Sequence, residues 1–138
     1  MIRRRQLEMQ ERVRERRERE DAAPRLRKQV AELVSLSIEV EDGSGSHLGA
    51  KTRYVRHVVV ERAPALFQIP CSDSGCRDGG HDVTTPVMRA LHAGESEFSG
   101  EDVCGGWRGG DHCGRVLHYV GHATYRWDTA QPRGYEGS

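Results

Sequence analysis

Two pairs of cysteines, each set in a glycine-rich polar loop, constrain this chain more than any other feature. Cys71 and Cys76 are separated by four residues, within Cys71-Ser-Asp-Ser-Gly-Cys76-Arg-Asp-Gly-Gly-His81. Cys104 and Cys113 are separated by eight, within Cys104-Gly-Gly-Trp-Arg-Gly-Gly-Asp-His-Cys113-Gly114. Zinc takes four soft or borderline ligands in a tetrahedron at about 2.0–2.3 Å, and two chain turns that each contribute a pair meet that need. Glycines let the backbone fold back so that amide N–H groups can point at thiolate sulfurs, and such donors help to hold an anionic site.

The rest of the chain makes a stabilising metal plausible on physical grounds. Hydrophobic residues are 36% of the sequence, below the usual 45–50% or so, so the core is small. A structural metal compensates for a small core by contributing folding energy directly. The expected cofactor is one structural zinc held by Cys71, Cys76, Cys104 and Cys113. His81 and His112 stand beside the cysteines and are the alternate ligands for a set of three thiolates and one imidazole. Free thiols and disulfides are the competing readings. A reducing compartment disfavours disulfides, and the chain reads as cytoplasmic because no apolar run follows its basic start at Met1–Arg5. No stretch approaches the ~18 apolar residues of a membrane span. Neither cysteine spacing is the tight C-x2-C of well-known zinc ribbons, so the loops are ribbon-like in logic only.

The expected architecture is α+β: a small, mostly antiparallel sheet with one short helix and zinc-ribbon-like loops, preceded by a charged N-terminal helical arm. Residues 1–23 form the arm, helical or disordered, 24–130 the zinc-stabilised domain and 131–138 a flexible tail. Residues 2–20 have helical charge spacing, with Glu8/Arg12 and Glu15/Arg19 as i,i+4 pairs, yet lack a core stripe. Pro24 opens a second short helix reaching about Leu33. Val34, Leu36, Ile38 and Val40 alternate with polar residues, which predicts a strand with one buried face. Residues 42–49 read as a flexible loop. Residues 53–62 are rich in β-branched side chains and read as the hairpin partner; Leu66–Pro70 makes a third strand running into Cys71. Thr85 as cap and Pro86 in the first turn predict a helix over 85–93, ended by Gly94. Phe98 belongs to a short strand before Cys104. Residues 115–127 form the last strand, with Leu117, Tyr119, Ala123, Tyr125 and Trp127 on one face. Antiparallel pairing of the strands that carry Cys71 and Cys113 would make these cysteines neighbours.

The 21 basic and 21 acidic side chains cancel overall but not locally. Residues 1–30 carry eleven basic against six acidic groups, +5, and residues 31–138 carry ten against fifteen, −5. A basic arm on an acidic body can bind an anionic partner or fold back on its own body. The leading functional expectation is a non-enzymatic zinc-binding adaptor or regulatory protein that recruits a protein partner, with Trp107 as an exposed anchor. A second is a nucleic-acid or ribosome-associated factor that uses Arg3, Arg4, Arg5, Arg12 and Arg16. Tyr54, Arg56, Arg62 and Arg53, with Tyr125 and Arg126, would extend such a surface, although Tyr54 suits a core position as well. A third is an enzyme with a catalytic zinc or a Cys113/His112 thiol, for which only sequence adjacency speaks. Asp73, Asp78, Asp82, Asp102 and Asp111 fit turn chemistry. His57, His118 and His122 read as ordinary strand histidines.

Overall fold

The period of two in residues 34–40 organises the molecule. In the computed structural model, which describes residues 2–43, 52–73 and 75–130, this alternation lies on an 11-residue strand, β1 (Leu33–Gly43). Leu36, Ile38 and Val40 are buried while Glu39 between them is exposed, as one-sided burial requires. β2 (Thr52–Val58) pairs antiparallel with β1 as the expected hairpin, with Ile38 opposite Arg56.

The covering layer follows in sequence. β3 (Gln68–Ile69) and β4 (His81–Asp82) form a two-residue ladder, and α3 (Thr84–His92) buries Val87, Ala90 and Leu91. β5 (Glu97–Val103) and β8 (Val116–Tyr125) complete a four-stranded antiparallel sheet of order β2-β1-β8-β5. Between them, β6 (Trp107–Arg108) and β7 (Asp111–His112) make a small hairpin. The chain is therefore α+β, as the residue patterns predict.

The arm is one helix, α1 (Ile2–Ala22), and its apolar side chains Leu7, Met9 and Val13 are exposed. Its root is fixed tightly. Pro24 O accepts from Ala65 N at 2.7 Å, Leu26 N donates to Ala63 O at 3.0 Å, and the Arg25 guanidinium reaches the carbonyls of Glu20, Ala23 and Arg62. The second short helix, α2 (Leu26–Gln29), stops well before Leu33, because fully buried Leu33 already belongs to β1.

One face of the sheet carries the core. Leu36, Ile38, Val40, Leu117, Tyr119 and Ala123 meet Phe67, Ile69, Val83, Val87 and Leu91 of the covering layer. Phe98 lies opposite Gly121, and a Cβ added at Gly121 would fall 2.2 Å from the Phe98 ring. Gly121→Ala is therefore an overpacking change. It is expected to cost about 1–3 kcal/mol, read as a lower urea midpoint at unchanged m-value.

Several boundaries differ from the sequence reading. β2 ends at Val58, and residues 59–62 turn, with Ala63 N donating to Val59 O. The third strand shrinks to two residues and pairs with β4; β8 pairs with β1 and β5 instead. β8 stops at Tyr125, and α4 (Arg126–Ala130) follows. Trp127 thus leaves the strand face and stacks its ring on Tyr125, centroids 4.5 Å apart. Thr85 does not cap α3. Asp82 Oδ1 accepts from Thr84 N at 3.0 Å and Thr84 Oγ1 from Phe67 N at 2.7 Å. Gly94, at φ +72°, does end α3, since the left-handed conformation there favours glycine. Most of the predicted loop at 42–49 and the tail at 131–138 lie outside the described residues.

Candidate metal centre

Two tight turns carry the cysteines. In the first, Asp73 Oδ1 accepts from Gly75 N at 2.9 Å and Asp73 O from Cys76 N at 3.0 Å, so this aspartate performs turn chemistry. In the second, the β6–β7 hairpin closes through Gly109 and Gly110, at φ +58° and +94°, the sign that a type I′ turn demands at both positions. Cys113 N donates to Gly106 O at 2.8 Å, and Cys104 N to Arg115 O at 2.8 Å. The two turns are stitched together by reciprocal backbone bonds between Arg77 and Trp107, at 2.7 and 2.9 Å.

The stitching brings four sulfurs to one point. The Sγ atoms of Cys71, Cys76, Cys104 and Cys113 all lie within 4.8 Å of one another, the one such cluster among the described residues. Cys71 Sγ is 3.7 Å from Cys113 Sγ, and Cys76 Sγ is 3.6 Å from Cys104 Sγ. A tetrahedron with metal–sulfur bonds of about 2.3 Å has sulfur–sulfur edges of about 3.8 Å. A disulfide needs about 2.05 Å, and all four cysteines are free. The donor set thus has the number, type and spacing of a single metal site. Cys71 and Cys113 do become neighbours, through the turns rather than through the strand pairing expected from sequence.

Backbone amides complete the cradle. Cys104 Sγ accepts from Gly80 N at 3.3 Å and from Gly106 N at 3.4 Å, and Cys71 Sγ from Asp73 N at 3.5 Å. Burial raises the pKa of Cys104, but the amides of Gly106 and Gly80, together with hydrogen bonds from the Cys76 and Cys113 side chains, hold the thiol below its ordinary value. Burial pushes the Cys71 and Cys76 thiols up. A metal binding here must displace protons from these two, which couples its affinity to pH. Glycine serves this cradle mainly through its small size. A Cβ at Gly79 would lie 2.3 Å from Cys76 Sγ and 2.5 Å from Cys104 Sγ; neither Gly79 nor the equally crowded Gly106 has a positive φ.

A buried polar group beside the cysteine turns carries no sequence signature of its own. Asp42, 1% exposed, accepts from Ser72 N at 3.0 Å and lies 3.5 Å from Arg115 Nε. Arg115 Nε donates to Ser72 Oγ at 2.8 Å. His81, also buried, is hydrogen-bonded through Nδ1 to Asp102 Oδ2 at 2.9 Å, and its Nε2 faces Asp42 Oδ2 at 3.9 Å. These contacts tie the residue after Cys71 to the sheet. Asp42 was readable only as loop, yet it continues the alternation of Leu36, Ile38 and Val40 by one more step onto the buried face. Asp42→Ala removes the acceptor of the Ser72 amide and the carboxylate that faces the Arg115 guanidinium. It is expected to cost about 1–3 kcal/mol, the penalty of a buried donor left without its acceptor. Asp42→Asn keeps an acceptor for Ser72 and is expected to cost less; thermal melts of the two variants check this.

The remaining candidates separate clearly. The His81 ring nitrogens face Asp102 and Asp42. His112 is exposed and stacks on Trp107, ring centroids 4.2 Å apart. Trp107 is 47% exposed, on the β6–β7 hairpin between Cys104 and Cys113. Arg4, Arg12 and Arg16 are exposed on α1, whereas the side chains of Arg3 and Arg5 lie outside the described set. Tyr54 sits exposed on the edge strand β2, not in the core. Tyr125 is fully buried and donates to Glu95 O, so it adds nothing to a basic aromatic surface. His118 pairs with Glu101 at 3.3 Å and His122 with Glu39 at 2.6 Å, as ordinary strand histidines do. Among the described residues no helix is long and apolar enough to cross a membrane. No family model, curated protein or solved structure matches this chain.

Proposed function

We propose that the chain is a non-enzymatic zinc-binding adaptor or regulatory protein, with one structural zinc on Cys71, Cys76, Cys104 and Cys113. The observation that carries this reading is the four-sulfur cluster itself, in which the Cys71–Cys113 and Cys76–Cys104 separations match the edge of a zinc–thiolate tetrahedron. Four thiolates fill a tetrahedral zinc, so a metal held this way offers no position for a water or a substrate. Its role is to hold two short turns that could not bury enough apolar surface to fold alone. What those turns display is the stacked Trp107–His112 pair, a rigid exposed aromatic of the kind that anchors protein interfaces. This favours a protein partner at the zinc-bearing end of the molecule.

The test is zinc per chain by elemental mass spectrometry on protein made without a histidine tag, with a parallel free-thiol count. One zinc, with all four thiols masked until a chelator is added, is the expected result. No metal and four freely titrating thiols would remove the basis for this reading. The alternative as a nucleic-acid factor rests on the exposed arginines of α1. It predicts that the chain retards RNA or DNA with a steep inverse dependence on salt, and that deleting the arm abolishes the shift.

A further inference from the structure

The sheet has a second face, and among the described residues it is open. Glu39, Val55, Glu97, Glu101, Val103 and His118 are among the side chains that point away from the core, and all six are exposed. Its fixed charges are unbalanced: Glu39, Glu41, Glu97 and Glu101 stand against Arg53. It also bears apolar surface, with Val55 49% and Val103 60% exposed.

The arm is the complement of this face. Over residues 2–17 it carries seven arginines against three glutamates, with its acids gathered toward the root at Glu18, Glu20 and Asp21. Leu7, Met9 and Val13 are 60%, 63% and 41% exposed. The lengths also match: a helix of this span is about 30 Å long, and β1 runs about 35 Å.

We propose that the arm of one copy lies across the open sheet face of a second copy. Its own face is out of reach. The arm springs from the covering layer, on the opposite side of the sheet, and its root is held there by Pro24, Arg25 and Leu26 against Ala63 and Ala65, and by Arg19 Nε donating to Gln68 Oε1 at 3.2 Å. A continuous helix cannot turn back around the sheet edge without breaking these bonds. A reciprocal exchange, each arm on the other copy's face, forms two such contacts. Each covers on the order of 500 Å² per side, so the pair reaches the roughly 1,200–2,000 Å² of a specific interface.

Sedimentation of the full chain tests this, with far-UV circular dichroism as the folding control. The wild type is expected to shift from monomer toward twice the chain mass as concentration rises in low salt, and back as salt shortens the Debye length. Glu39→Lys/Glu101→Lys and Arg12→Glu/Arg16→Glu, each pair on exposed positions, should both stay monomeric. Mixing these two reversed-charge proteins should restore association, a result that neither a general arm effect nor misfolding can produce. A wild type that stays monomeric at every concentration in low salt would overturn the proposal. So would association by Glu39→Lys/Glu101→Lys equal to that of the wild type, or an arm that retards nucleic acid while the chain never self-associates. The zinc content of each sample is measured separately, so failure of the metal reading and failure of this one are told apart.

Discussion

Removing the proposed zinc, or any one of the four cysteines that would hold it, is expected to collapse the cysteine-bearing end of the molecule. Apparent binding free energies of structural zinc in small domains are about 10–16 kcal/mol at neutral pH. Net stabilities of whole domains are only about 5–15 kcal/mol. Loss of the ion therefore removes a free energy comparable to everything that holds the fold together. Cys71→Ser and Cys113→Ser are expected to release zinc and to leave three titratable thiols. Each kcal/mol shifts the melting temperature of a domain this size by roughly 3–5 °C, so even about 4 kcal/mol of that loss lowers it by about 12 °C or more. The four-stranded sheet has its own core around Ile38, Phe67, Val87 and Leu117, so residual strand signal should outlast the loss of the turns. His118→Ala is the control. Its imidazole is 59% exposed and pairs with an exposed glutamate on the open face, so it should neither release metal nor move the melting temperature. Equal, mild effects from all three variants would sink the assignment of the site.

What the sequence reveals follows from the kind of signal each element emits. Strand β1 announces itself because one-sided burial writes a period of two into Leu36–Val40, and its partner β2 through a β-branched run; Val34 shares the pattern but is 42% exposed, because the register shifts between Leu33 and Ser35. The cysteine loops stand out because metal-binding side chains are rare and were grouped among glycines. Extents are less visible: Val59 and Val60 continue a β-rich run, yet the turn that covers the core edge is set by tertiary contacts with Leu26 and Pro24. The partner of the Cys71 strand could not be read either, since a two-residue ladder such as β3–β4 has no periodicity to detect. The buried position of Asp42 is hidden for a different reason, whereas His81 stands out beside the cysteines but bonds to Asp102. An aspartate before glycine and serine is the ordinary mark of a surface loop, and only packing shows that this one turns inward to Ser72 and His81.

Gly106→Ala should be nearly as damaging as losing a cysteine, although it alters no ligand. The Cβ it adds would sit 2.5 Å from Cys76 Sγ, 2.5 Å from Gly79 Cα and 2.7 Å from Arg77 O. Two of those neighbours are backbone of the opposite turn, so no side-chain rotation relieves the clash. The two turns must separate, and in separating they break the Arg77–Trp107 bonds and pull Cys76 away from Cys104. Gly106 also donates its amide to Cys104 Sγ and accepts from Cys113 N, so a displaced backbone weakens two cysteines at once. Loss of one outer partner typically costs about 10–100-fold in metal affinity, and a steric wedge in the cradle is expected to cost about 100-fold or more. Gly105→Ala is the matched comparison: an added Cβ there meets nothing within 4 Å, and its effect should stay within about 0.5 kcal/mol. Competition for zinc against a chromogenic chelator, with thermal melts in parallel, reads both variants. Equal retention of zinc by the two would mean that the turns do not approach as closely as the shared sulfur cluster demands, because the space Gly106 vacates is the space in which the two halves of the site meet.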